Sequence, residues 1–187
     1  MAVWATDGAR QAMLMVAAAF PRRGLSEGTP MTSMYDSTQP SLIPATAEYV
    51  AIYGNGQYAA SRETVQRRFP KARLFSIDVL NSDPGGCGIA DVENGDMTPA
   101  DVPGWVDRRL AAHPNGVLCR IYCNRSTWPA VKAEVAKLAP EKRARVRYWI
   151  ADPTGNAHSL PGADATQYYW GSDWDQSTID TSRFVTG

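Results

Sequence analysis

The chain has 187 residues, of which 44% are hydrophobic, 20% charged and 10% aromatic, the composition of one globular domain with a sizeable core. Its 19 Lys and Arg balance its 19 Asp and Glu, so no net field draws it to nucleic acid or to an anionic membrane surface. Six Trp, eight Tyr and four Phe argue against extended disorder, and the apolar run over residues 12–20 is far shorter than the ~20 residues of a membrane span.

That run reads as part of a helical arm over residues 6–20. Asp7 ahead of it and Phe20-Pro21-Arg22-Arg23 after it do not fit a signal peptide. Residues 24–30 are rich in Gly, Ser and Pro and read as a linker. This divides the chain into an arm and linker, 1–30, and a domain, 31–187.

Within the domain, strand and helix patterns alternate. Residues 34–37 are a strand candidate. Tyr49-Val-Ala-Ile-Tyr53 is a buried strand stopped by Gly54-Asn55-Gly56. Ser61 caps a helix that runs to about Arg68 and ends at Phe69-Pro70. Residues 73–78 and 87–93 are strands, separated by a turn-rich loop over 81–86. Thr98-Pro99-Ala100-Asp101 is a capping-box start with Pro at the first helical position. Its helix carries Val102, Trp105, Val106 and Leu110 on one face. Residues 117–123 form a strand. Ser126 or Thr127 then caps a helix bearing Val131, Val135 and Leu138. Residues 147–151 and 165–169 are strands, and Ile179-Asp180 opens a last short segment.

This alternation predicts an α/β fold with a mostly parallel sheet. Eight strands would close a compact, TIM-like (β/α) barrel, but the domain falls below the ~200 residues at the low end of that fold. A barrel must therefore be trimmed of some crossover helices. An open doubly wound sheet is the alternative.

Both architectures place a site at the carboxyl ends of the strands. Asp36, Asp78, Asp91 with Glu93, and Asp180 hold such positions. Asp91 and Glu93 are the sharpest signal. Residues i and i+2 of a strand share a face, so both carboxyls point into the site, roughly 6 to 7 Å apart at the backbone. Their repulsion favours one charged and one protonated group, the division that general acid/base work on a glycosidic bond requires. A strand end that has simply reached solvent is the plainer reading. Cys87, Cys119 and Cys123 form no disulfide framework, and neither His113 nor His158 accompanies them, so no metal is expected. They read as small buried side chains and point to a reducing compartment.

The order of Tyr35-Asp36-Ser37-Thr38-Gln39, Ile89-Ala-Asp91-Val-Glu93, Ile121-Tyr122-Cys-Asn124, Tyr148-Trp149-Ile-Ala151, Thr166-Gln167-Tyr168 and Ile179-Asp180 resembles the family-25 glycoside hydrolases. These are lysozyme-type muramidases of bacterial and phage cell-wall lysis. The likeness spans about residues 34–184. The segments 91–99 and 122–128 are similar, more closely, to those of short glycoside-hydrolase-like proteins of actinobacteria and their phages. The resemblance implies a peptidoglycan glycosidase that needs no cofactor. Glu93 would be the general acid. Asp91 would orient the substrate's acetamido group or tune Glu93, and Asp36 and Asp180 would complete an acidic floor. Tyr122, Trp149, Gln167 and Tyr168 would line the sugar groove.

Two residues leave alternatives open. Asp78 either belongs to the acids or caps its loop. Arg120 points either inwards, where it would lower an acid's pKa, or out to the helix layer. Trp170, Trp174 and Tyr169 suggest a semi-exposed aromatic loop that touches sugar or a protein neighbour. Two functions follow. One is a muramidase acting on the N-acetylmuramic to N-acetylglucosamine linkage. The other is a non-catalytic structural or wall-binding component of a phage virion, docked on other virion proteins through residues 1–30. Either protein is expected to be cytoplasmic until released, or virion-associated.

Overall fold

The computed structural model describes residues 31–186. The arm and linker expected over 1–30 lie outside the described residues. Eight strands close a barrel in sequence order: β1 (Met31–Asp36), β2 (Tyr49–Tyr53), β3 (Arg73–Asp78), β4 (Ile89–Val92), β5 (Cys119–Asn124), β6 (Val146–Ala151), β7 (Ala165–Tyr169) and β8 (Asp175–Asp180). Hydrogen bonding between β1 and β8 completes the ring, which rules out the open doubly wound sheet.

Each pair from β1–β2 through β6–β7 is parallel. β8 runs antiparallel to both β7 and β1. The reason lies in the connection. A parallel crossover takes a dozen or more residues, and residues 170–174 between β7 and β8 suffice only for a reversal. The class is α/β with a mixed, closed sheet. The final segment expected to open at Ile179 is instead the end of a strand that starts at Asp175.

Helices occupy some of the connections. These are α1 (Arg62–Arg68), α2 (Val102–Ala112), α3 (Trp128–Ala136) and α4 (Pro140–Arg143). The β3–β4 and β6–β7 links carry no helix, which accommodates the barrel in a short chain. Ser61 Oγ accepts the Thr64 N–H at 3.3 Å and caps α1. Asp101 accepts from both the N–H and the hydroxyl of Thr98, at 2.8 and 2.6 Å, at the entry to α2.

Period-2 alternation sorts the strand residues between the lumen and two outer cores, one of which joins Val50, Ile52 and Leu74 to Val65 of α1 and Phe69. Outward-facing Ala90, Cys119, Ile121, Cys123 and Ile150 pack beneath Trp105 and Val106 of α2 and Val131 and Val135 of α3. Inward-facing Met34, Ala51, Phe75, Ile89 and Ile179 fill the lumen, and Phe184 and Val185 of a π-helical turn (Thr181–Val185) close its lower end. Each large apolar side chain so buried stabilises the fold by ~1.5–3 kcal/mol.

Asp78 caps its loop. It is fully buried and accepts from Asn55 Nδ2 (2.8 Å), Trp105 Nε1 (3.0 Å) and the backbone N–H groups of Leu80 (3.1 Å), Ser82 (3.2 Å) and Asp83 (3.0 Å). Burial pushes its pKa up, but these donors outweigh burial and hold it below the usual carboxylate value. Its stabilising contribution is therefore present above the unfolded-state pKa and is lost as pH falls through the folded one. Removing the carboxylate strands several buried donors, at ~1–3 kcal/mol each before water relieves them. Asp78→Ala should cost about 3 kcal/mol, roughly a 10 °C fall in Tm for a domain of this size. A thermal melt within 2 °C of wild type would contradict the capping role.

Candidate functional site

The upper rim of the barrel gathers the carboxyl ends of β1 to β7 and the start of β8. Asp36 ends β1, Tyr53 ends β2, Asp91 lies near the end of β4, and Glu93 follows it directly. Tyr122, Trp149 and Gln167 project inwards from β5, β6 and β7. With Asp175 and Trp170 they line a cavity of about 200 Å³. A larger cleft of about 580 Å³ opens at the opposite end beside Tyr49, Arg73 and Val185. Glu48 is the one acid lining it, whereas Asp36, Asp91, Glu93 and Asp175 all line the smaller cavity.

Two expected site residues lie elsewhere. Because β8 is reversed, its first residue reaches the upper rim: Asp36 pairs with Asp175, whereas Asp180 pairs with Met31 at the far end. There Asp180 accepts from the Ser182 N–H (3.0 Å), the Ser182 hydroxyl (2.6 Å) and the Arg183 N–H (3.3 Å), and so caps the terminal turn. Tyr168 is next to inward-facing Gln167, so it faces out of the barrel, beside Tyr35 and Ser33. Asp175 is the acid that sequence reading missed. The few residues available between β7 and β8 carried the signal, since they fix the reversal. Tyr53 and Trp170 also join the cavity without having been assigned to it.

Gln167 organises the site. Its Oε1 accepts from Tyr122 Oη and from Trp170 Nε1, both at 2.7 Å. This fixes the amide so that Nε2 donates to Asp36 Oδ1 and Oδ2 at 3.1 and 3.2 Å and reaches Asp175 Oδ2 at 3.5 Å. The Gly171 N–H donates to Asp175 Oδ1 at 2.9 Å. Trp149 packs on Tyr122 with ring centroids 4.6 Å apart and donates to Ser177 Oγ at 2.9 Å.

All four carboxyls are pushed towards the protonated form. Burial, then the Asp175 charge, raises Asp36 to about 7, against the Gln167 hydrogen bond that lowers it. Burial, then Glu93, Asp96 and Asp36, raises Asp91 to about 8. Glu93 is raised by burial, Asp96 and Asp175, and Asp175 by burial against the Gly171 hydrogen bond. Asp91 is 3% exposed and its Oδ1 has no hydrogen-bond partner among the described residues. A buried polar atom of this kind calls for a ligand or water to satisfy it. Glu93 is partly exposed at the mouth.

Arg120 does point inwards, but one layer lower. Its Nε donates to the Phe184 carbonyl at 2.7 Å, and its guanidinium lies 4.9 and 5.1 Å from the Phe75 and Phe184 ring centres. It pairs with neither Asp91 nor Glu93. Cys119 and Cys123 face the helix layer, away from the lumen. Among the described residues no His, Cys, Asp or Glu group is disposed to hold a metal ion, and no helix is long and apolar enough to cross a membrane.

The register yields a contrast between two aspartates. Asp175→Asn should lower the pKa of Asp36, because it removes the neighbouring charge that raises it, whereas Asp180→Asn, at the far end of the barrel, should leave it unchanged. Equal shifts in the two variants, followed by NMR titration of the carboxyl groups, would mean that the placement of Asp175 beside Asp36 is wrong.

Comparisons with known protein families, with curated proteins and with solved structures find no match to this chain.

Proposed function

We propose that the protein is a peptidoglycan glycosidase of the lysozyme type, built on a trimmed (β/α) barrel with its last strand reversed. The observation that carries this reading is the convergence of Asp36, Asp91, Glu93 and Asp175 on one aromatic-lined cavity. Like charges crowded in this way cost stability, and clusters of acids with raised pKa values in a cleft mark functional sites. The resemblance to family-25 glycoside hydrolases at Asp36, Asp91-x-Glu93 and Gln167 supports the same reading.

Glu93 stands at the mouth with a raised pKa and donates its proton to the glycosidic oxygen as the bond to the anomeric carbon breaks. Water adds to that carbon and its proton returns to the carboxylate. Asp91, deeper and protonated at neutral pH, offers a hydrogen bond to the substrate's acetamido group. Tyr122 and Trp149 supply apolar walls. Asp36 and Asp175, steadied by Gln167, hold the negative charge that favours a cationic transition state.

The test is clearing of purified actinobacterial cell walls, with release of reducing ends, by wild type and by E93Q. The modest cavity, about 200 Å³ against ~300–1,000 Å³ for pockets that enclose a whole ligand, favours a second reading. In it the barrel binds wall glycan as a virion component without cleaving it. Wall binding by wild type without release of reducing ends would select that reading.

A further inference from the structure

Trp170 is 55% exposed, yet it lines the acidic cavity. A large aromatic ring left open to water beside buried acids calls for a reason. Hydrophobic burial does not hold it there. Its N–H is committed to Gln167 Oε1 at 2.7 Å, and its loop is tied down on either side. The Gly171 N–H donates to Asp175 Oδ1 at 2.9 Å, and the Ser37 hydroxyl donates to the Asp173 carbonyl at 2.6 Å. A Cβ on Gly171 would come within 2.5 Å of the Trp174 carbonyl oxygen and 2.8 Å of the Tyr169 ring, so the turn is closely packed. The indole is thus preorganised, with its edge occupied and a face free.

The cavity beside it, about 200 Å³, is smaller than the ~300 Å³ at which pockets enclose whole ligands. It takes one ring, and the next ring of a polymer must lie outside. A flat indole face at the mouth matches the apolar C–H face of a pyranose. We infer that Trp170 is the stacking platform for the sugar adjoining the one in the acidic cavity, and that its N–H positions Gln167 against Asp36 and Asp175. This rests on the glycosidase reading and extends it. The site takes a glycan of at least two rings, and occupancy of the outer ring is tied to the geometry of the acids.

The test separates stacking from positioning. In the E93Q protein, in which turnover should be too slow to disturb a titration, a tetramer of N-acetylglucosamine is titrated calorimetrically with Trp170 intact, with W170A and with W170F. W170A should bind about tenfold more weakly, equivalent to ~1.4 kcal/mol. W170F keeps an aromatic face and should bind within about threefold of the parent. In the protein that retains Glu93, W170F should shift the pH–rate profile to higher pH, because Gln167 loses one of its two donors and its hydrogen bond to Asp36 loosens. Unchanged affinity in W170A overturns the platform, and an unchanged W170F pH profile overturns the positioning role. If the parent binds neither the tetramer nor muramic-acid-containing glycan strands, it is the glycosidase reading itself that fails.

Discussion

Turnover of cell-wall glycan should fall about 10³-fold in E93Q, within the 10²–10⁴ range that a positioned general acid contributes. Glutamine keeps the shape of the side chain and removes the transferable proton. Glu93 follows the last residues of β4 at the cavity mouth, so the substitution leaves the hydrophobic cores untouched and the melting temperature should stay within a few degrees. Burial, Asp96 and Asp175 keep the carboxyl protonated above its ordinary range. Activity should therefore decline on the alkaline side as Glu93 loses its proton. Wall clearing by E93Q at the wild-type rate would remove Glu93 from the reaction.

The second large effect is on stability, and its sign depends on pH. Asp91 titrates near its ordinary value in the unfolded chain but at about 8 in the fold, through burial first and then Glu93, Asp96 and Asp36. With a raised folded pKa, the stability linked to this group is fully present below the unfolded pKa. It is lost as pH climbs through the folded one. Asparagine is neutral throughout and escapes that loss. Asp91→Asn should match wild type below pH 4 and exceed it at pH 8 by about 2 kcal/mol or more, each pKa unit corresponding to ~1.4 kcal/mol. For a domain of this size that is roughly a 5 °C gain in Tm. The same variant should lose most of its activity, as expected where a site's strain is held for function. A pH-independent difference in Tm, measured by calorimetry from pH 4 to 8, would show that Asp91 is not held neutral by the fold. Asp78 behaves oppositely, because its donors lower its pKa, and Asp78→Ala should do most harm at neutral pH.

Much of the barrel is legible in the chain because its signals are local. Ser61 and the Thr98–Asp101 pair mark helix starts through short-range hydrogen bonds. The Asp91-x-Glu93 spacing places both carboxyls on one face through strand period alone, whereas Tyr122, Trp149 and Gln167 are indicated by the family resemblance, which also names the outward-facing Tyr168. Strand direction is not written in any single segment. Ile179-Asp180 looks like the carboxyl end of another parallel strand, and the short connection after β7 speaks for a reversal only once pairing with β1 and β7 shows that the strand starts at Asp175. That reversal exchanges Asp180 for Asp175 at the rim. The layer occupied by Arg120 is likewise invisible locally, since an inward direction does not say how deep the residue sits until the strands are set in register. Sequence periodicity thus determined that Asp91 and Glu93 share a face, and the local signals determined where most strands and helices lie. The tertiary structure decided at which end of the lumen the side chains meet, because register and strand direction are set by long-range hydrogen bonds between segments as far apart as β1 and β8.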